Sequence, residues 1–169
     1  MSWTDFYRRR DAIDAVLAHA EQHPGAGLPF DELPAGFADR ESLALALQYK
    51  WSQVLTGHIG AALSETDRKP DADHVEAVAA AWRLAARQHR ALRGLLDQYM
   101  TEAGPEFRRT LRAEQRMVAF AAGLAEHGEP ADETARIGAA FLALIRGPRQ
   151  PVSRRTSVEQ LFRRLVASS

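Results

Sequence analysis

The sequence predicts an all-α protein, a helical bundle of six to seven helices. Apolar residues recur every three or four positions along most of the 169 residues, and the alternating pattern of a half-buried strand is missing. Proline and glycine fall between the periodic segments, where they would end one helix before the next begins. Aromatic residues make up only 8% of the chain and alanine is abundant, which also favours helices over sheets.

The amino-terminal third is predicted to hold two helices. The first covers about residues 4–22, and its apolar stripe begins at Phe6. A short segment, residues 30–34, is long enough for about one turn of helix. Asp39 is a suitable N-cap for the second helix, which extends from about residue 40 to 65.

The middle of the chain is predicted to form one long helical stretch. Either Asp71 or Asp73 starts it, and it extends to about residue 101. The same apolar stripe continues over nearly the whole stretch, and we expect a break near His89 or Gly94.

Three further helices are predicted in the carboxyl-terminal part. Pro105 fits the first position of a helix that ends near Gly128, because proline lacks the N–H that this position leaves unpaired. The next helix follows Pro130 and stops at Gly147. The last one covers about residues 157–166.

Composition excludes several classes of function. The chain has no cysteine, which excludes disulfides, thiol catalysis and zinc sites built on thiolates. Basic and acidic residues both number 22, so no net charge draws the chain to nucleic acid or to an anionic membrane. The sequence shows neither a membrane-spanning run nor an apolar leader, and we therefore expect a cytoplasmic protein without a membrane partner.

The sequence shows no pattern typical of an enzyme. A Gly-rich phosphate loop, a nucleophile elbow, paired carboxylates of defined spacing and the zinc-protease helix are all missing from it. His19 and His23 have the i, i+4 spacing of a metal chelate, but they are interpreted as an exposed helix end. We therefore predict no catalytic residue, no metal and no cofactor.

Polar residues on inward-facing stripes indicate a candidate ligand pocket. A buried polar group without a hydrogen bond costs about 1–3 kcal/mol, so another side chain or a ligand with water must satisfy it. His58, His89 and Glu114 occupy such positions. One interpretation is an apolar pocket, and the other is a filled core with satisfied polar residues. The candidate pocket residues are Trp51, Val54, His58, Trp82, His89, Glu114 and Val118.

The last two predicted helices carry wide apolar faces, broader than one small bundle needs to cover. A surplus of this kind is typical of an interface with a second subunit, which predicts a homodimer. The candidate interface residues are Ile137, Phe141, Leu144, Leu161, Phe162 and Leu165.

The order of segments resembles the TetR family of bacterial transcriptional regulators over most of the chain. Residues 9–20, RRDAIDAVLAHA, are similar to the first helix of that family, and residues 37–46, FADRESLALA, to the start of its fourth. Residues 105–109, PEFRR, fit the start of its seventh helix. Residues 135–147, ARIGAAFLALIRG, resemble the penultimate helix, which in that family dimerises with the last one.

One part of the family pattern is missing. These regulators place a helix-turn-helix ahead of the phenylalanine that corresponds to Phe37, and its second helix enters the major groove of DNA. The interval 23–36 holds three prolines and three glycines, which leaves no room for two helices and a turn. Its charged residues are Asp31 and Glu32, which repel phosphate, so sequence-specific DNA binding is not expected.

The resemblance implies a reduced helix-turn-helix-like head at residues 1–38 and a regulatory and dimerisation core at residues 39–169. We expect a dimeric, regulator-type protein that senses a small apolar ligand. Two alternatives stay open. One is a DNA-binding transcriptional repressor with an atypical head, and the other is a structural or interaction module with a filled core.

Overall fold

A computed structural model describes residues 3–25, 33–68 and 73–147, and these ranges hold only helices, turns and irregular segments. The predicted all-α class is therefore confirmed. Within the described ranges, none of the helices combines the length and apolar character that crossing a membrane requires. The helices are α1 (Trp3–Gln22), α2 (Arg40–Thr66), α3 (His74–Gln88), α4 (Arg90–Tyr99), α5 (Pro105–Ala121) and α6 (Ala131–Arg146).

Some predictions concern residues outside the described ranges. The helix expected at residues 157–166, the interface residues on it and most of the short segment at 30–34 all lie there. Between residues 33 and 39 the described chain forms turns and bends without a helix. In this described stretch, no recognition helix directly precedes Phe37.

Asp39 is the N-cap of α2, as predicted. Its Oδ1 accepts the N–H of Ser42 at 2.7 Å, and its own N–H donates to the Ser42 Oγ at 3.2 Å. This reciprocal pair has the geometry of a capping box, with serine in the third helical position. It satisfies two backbone donors that the start of a helix would otherwise leave unpaired.

The long stretch predicted for the middle of the chain is present as α3 and α4. Asp73 is the N-cap of α3, since its Oδ1 accepts the N–H groups of Val75 and Glu76 at 2.9 and 3.2 Å. The break falls at His89, where φ is −118° and ψ is 44°, outside the helical region. Gly94, the other candidate for the break, lies inside α4.

The amino terminus of α5 is capped from another helix. Pro105 takes the first helical position, as predicted, and the Glu41 carboxylate in the first turn of α2 accepts the N–H of Phe107 at 3.1 Å. A carboxylate at this end of a helix also interacts favourably with the helix dipole. Gly104 leaves the space for this carboxylate, because a Cβ at position 104 would collide with it.

The prediction that α5 reaches Gly128 is wrong, because the helix ends before Gly123. Gly123 has a φ of +67°, and its N–H donates to the Phe120 carbonyl at 3.0 Å. The N–H of Leu124 donates to the Ala119 carbonyl at 2.9 Å. These two bonds form a Schellman motif, which stops a helix at a left-handed residue and favours glycine there.

The chain divides into two compact units, each with its own buried side chains. The first unit draws on residues 1–53 and 86–110, and the second on residues 54–85 and 111–169. The predicted head at 1–38 contributes to the first unit together with the start of α2. The largest fully buried side chains are Leu43, Leu47, Gln48, Trp51, Leu92, Leu96 and Phe107 in the first unit, and Leu55, Val78, Val118, Thr134 and Phe141 in the second.

Replacing Glu41 by glutamine keeps an acceptor for the Phe107 N–H but removes the negative charge. Burial, and after it the Glu41 carboxylate, raises the pKa of Tyr99 above its ordinary value of 10.0. Glu41→Gln should therefore bring the pKa of Tyr99 back towards that value, which the ultraviolet absorbance of the phenolate measures. A phenol that titrates identically in both proteins would contradict the coupling.

The same titration has a consequence for stability. A raised pKa means that the folded protein holds the phenol proton longer than the unfolded chain does. Native stability from this group is therefore complete below about pH 10 and is lost as the pH rises above that value. The loss should be smaller in Glu41→Gln and smaller still in Tyr99→Phe, which has no phenol to ionise, as denaturant unfolding at several pH values would measure.

In the second unit, α6 lies close to α5 at Gly138. A Cβ at this position would collide with the backbone of Gln115, which cannot move aside as a side chain could. Gly138→Ala should therefore lower the free energy of unfolding by more than about 2 kcal/mol. Gly57→Ala is the matched control, because that helical position faces open space, and it should raise stability by up to about 1 kcal/mol. Equal effects in denaturant titrations would contradict the close approach.

Candidate functional site

The residues predicted to line an interior pocket are distributed over both units. In the first unit, Trp51 of α2 is buried and His89, at the helix break, is half-buried. In the second unit, the buried residues are Trp82, Glu114 and Val118, and the half-buried ones are Val54 and His58. Four of the seven therefore face the interior of their own unit.

Both buried tryptophans lie against an arginine. The Arg93 Cζ is 5.1 Å from the centre of the Trp51 ring in the first unit, and the Arg146 Cζ is 5.4 Å from that of Trp82 in the second. A guanidinium over an indole face gains about 0.5–2 kcal/mol from cation–π attraction. Histidine and glutamate were the predicted polar residues of the interior, and these arginines were not among them. For Arg93 a signal was present, since it follows Leu92 on the apolar stripe and has an aspartate four residues later.

Arg93 is a buried charge, with 5% of its surface exposed. Its Nε and Nη2 donate to the Asp97 Oδ1 at 3.1 and 2.9 Å. Its Nη1 is buried and has no hydrogen-bond partner among the described residues. Because a buried charge is costly without a counter-ion, the Asp97 carboxylate is what allows Arg93 to pack on Trp51.

A cleft of about 750 Å³ opens in the first unit, between the end of α1 and the junction of α3 with α4. This volume lies in the range of small-molecule sites. The base of the cleft is apolar, with Ala20 and Leu95 buried, whereas its rim is polar. None of the seven predicted pocket residues is among its described lining residues, which are Ala20, Glu21, Pro24, Gly25, Arg87, Gln88, Arg90, Ala91, Gly94, Leu95 and Gln98.

Positive charge dominates the described rim of the cleft. Arg87 and Arg90 are exposed, and neither has an ion-pair or hydrogen-bond partner among the described residues. Glu21 is the one acidic residue on the described walls. The first turn of α4 contains no acidic residue, and His89 supplies no side-chain cap, so the helix dipole adds to the positive potential.

The described interface residues are not equally accessible. Phe141 is fully buried within a single chain, while Ile137 and Leu144 are half-buried. In a dimer, Phe141 would therefore pack behind the interface residues without contacting the partner, and Ile137 and Leu144 would contribute surface to the interface. Leu161, Phe162 and Leu165 lie outside the described ranges.

The two histidines with metal-chelate spacing stack on each other at the exposed end of α1. The ring centres of His19 and His23 are 4.4 Å apart, with an interplanar angle of 26°. The His23 Nδ1 also lies 3.1 Å from the His19 carbonyl oxygen. Among the described residues, no group of three or more potential metal ligands is found.

The prediction that Phe6 belongs to the buried stripe of α1 is wrong. Phe6 is 54% exposed and forms a surface cluster with Trp3 and Tyr7, in which neighbouring ring centres are 5.7–6.5 Å apart. The reason is the position along the helix: the buried residues of α1 are Val16 and Ala20 in its second half, whereas Phe6 lies near its amino terminus.

The Arg93–Asp97 pair makes a specific prediction for stability. Asp97→Ala should cost about 2–3 kcal/mol, because it leaves a buried guanidinium without its counter-ion. Arg93→Met should change stability by less than about 1 kcal/mol, because an apolar side chain of similar length can cover Trp51. Glu76→Ala, which breaks the more exposed pair with Arg83, is the control and should cost under about 1 kcal/mol. Denaturant unfolding in which Arg93→Met costs more than Asp97→Ala would contradict this order.

Comparisons with known proteins do not select a family. No family model matches the chain, and no curated protein or solved structure matches it either. The resemblance to the TetR regulators therefore stays a prediction from the residues themselves.

Proposed function

We propose that this protein is a regulator-type homodimer, TetR-like in its core, that binds a small molecule and responds by a change of shape. The cleft between α1 and the α3–α4 junction carries the proposal. α1 packs against α4, so a ligand in the cleft would contact both partners of that packing. A ligand shifts such an arrangement by as much as its affinity differs between the two shapes.

The contacts that the amino-terminal arginines make within the chain support signalling through a protein partner and not through DNA. The Arg9 Cζ lies 4.9 Å from the centre of the Phe37 ring. Arg10 forms an ion pair with Asp11 at 3.1 Å and lies over the Tyr7 ring. Two of the three consecutive arginines at residues 8–10 are thus engaged within the chain, which weakens the phosphate contacts that DNA binding needs.

A second candidate is an interaction module that binds no small molecule. The exposed cluster of Trp3, Phe6 and Tyr7 favours it, because adjacent exposed aromatic rings are typical of surfaces that contact another protein. In this candidate the buried tryptophans serve only to fill their cores.

Thermal unfolding of the full chain against a library of small organic molecules tests the proposal. A ligand at about 100 times its Kd should stabilise the native state by about 2.7 kcal/mol. The same ligand should slow amide hydrogen exchange in α1 and α4. No stabilising compound, or a compound that leaves α1 and α4 unchanged, would favour the interaction module.

Two further measurements test the remaining parts of the proposal. Light scattering should give twice the chain mass of 18.7 kDa, and a monomeric mass would exclude the dimer. Gel-shift experiments at low salt should show no complex that prefers one DNA sequence over another. A sequence-specific complex would instead support the repressor with an atypical head.

A further inference from the structure

We propose that the cleft between α1 and the α3–α4 junction is an oxyanion site, which takes a small organic molecule with one carboxylate or phosphate group on an apolar body. This inference rests on the proposed function, since it names the class of ligand that the regulator would sense. It replaces the purely apolar ligand that the sequence suggested for a different set of residues.

The charges on the described walls indicate the sign of the charge that the ligand carries. Arg87 and Arg90 project from the two sides of the helix break, and no described residue pairs with either of them. With Glu21, the described lining has a formal charge of +1 (two arginines less one glutamate). A guanidinium binds carboxylate and phosphate oxygens through charge-assisted hydrogen bonds, often two at a time. The walls therefore favour an anion over a cation or a neutral molecule.

Arg90 is also an exception to the usual charge pattern of helices. It occupies the first position of α4, where a positive charge opposes the helix dipole, and the first turn contains no acidic residue to offset it. An anion between Arg87 and Arg90 would neutralise this excess. Departures from local charge rules of this kind are common at binding sites.

The residues at the base of the cleft indicate the chemistry of the rest of the ligand, apart from its acid group. Ala20, Ala91 and Leu95 present small apolar surfaces there. Gly94 faces open space in the cleft, since a Cβ at this helical position would meet no atom within 4 Å. A short aliphatic chain or a single aromatic ring fits such a surface, while the acid group reaches the arginines at the rim.

Three probes of similar size separate charge from shape: benzoate, phenyl phosphate and the neutral benzamide. Each is titrated into the whole 169-residue chain, and binding is followed by amide NMR shifts of the lining residues. We expect at least one anion to bind about tenfold more tightly than benzamide, with an affinity that falls as salt is added. Benzoate alone would indicate a carboxylate ligand, and phenyl phosphate alone a phosphate ligand. Either result supports the inference.

Substitution of the arginines tests the assignment of the anion to this cleft. Arg87→Gln/Arg90→Gln should weaken anion binding by about tenfold or more and leave benzamide binding unchanged. Arg109→Gln is the matched control, because Arg109 is another exposed arginine, on α5, that is not among the described lining residues of the cleft. Anion binding that survives in the double variant would overturn the inference.

Filling the cleft provides a second, charge-independent test. Gly94→Leu should abolish binding of all three probes without loss of fold, because its side chain enters open space and leucine favours a helix more than glycine does. Gly60→Leu, at another open helical position that does not line the cleft, should bind as the original protein does. Unchanged binding in a folded Gly94→Leu would overturn the inference, and circular dichroism verifies the fold of each variant.

The outcomes also separate this inference from the proposed function. If benzamide binds as tightly as both anions and Gly94→Leu blocks it, the cleft is a ligand site without anion preference, and only the inference fails. If none of the probes binds, the inference fails, and the library screen with hydrogen exchange decides the proposed function by itself.

Discussion

The interruption at His89 is the constraint on which the arrangement of the candidate site depends. α3 ends at Gln88 and α4 begins at Arg90, so the break lies between the two arginines of the cleft, and α4 packs against α1. The apolar side of α4, with Leu92 and Leu96, is buried in the first unit, while Gly94 faces the cleft. α4 thus has one face that packs in the core and another that is open to solvent.

The elements that could be predicted from the sequence are those fixed by neighbouring residues. Asp39 and Asp73 act through atoms two or three positions away, and Pro105 acts through its own backbone, so their residue types are enough to place the helix starts. The early end of α5 is also local, since it depends on Gly123. The sequence contains that signal, although the prediction placed the helix end at Gly128, and both glycines have a positive φ.

The candidate site was predicted less well, because its chemistry depends on which helices meet. His58 and His89 were selected as polar residues on apolar stripes, yet the most buried cation of the described core is Arg93, whose position depends on Trp51 from another helix. The cleft combines residues of α1, α3 and α4, and helical periodicity alone does not bring these segments together.

Two buried threonines, in contrast, make hydrogen bonds that depend only on residues close to them in sequence. Thr66 and Thr134 donate to carbonyls four residues earlier, at 2.8 and 3.2 Å, so each satisfies its hydroxyl within its own helix.

The cap that Glu41 provides for α5 also bears on the order in which the chain folds. Asp39 and Ser42 are three residues apart and can pair as soon as α2 nucleates, whereas Glu41 and Phe107 are separated by 66 positions. Closing so long a loop carries an entropic cost that is recovered only when the surrounding side chains pack. The start of α5 therefore gains its carboxylate late, after α2 has formed, and this helix end acquires its final hydrogen bond only on the approach to the native state.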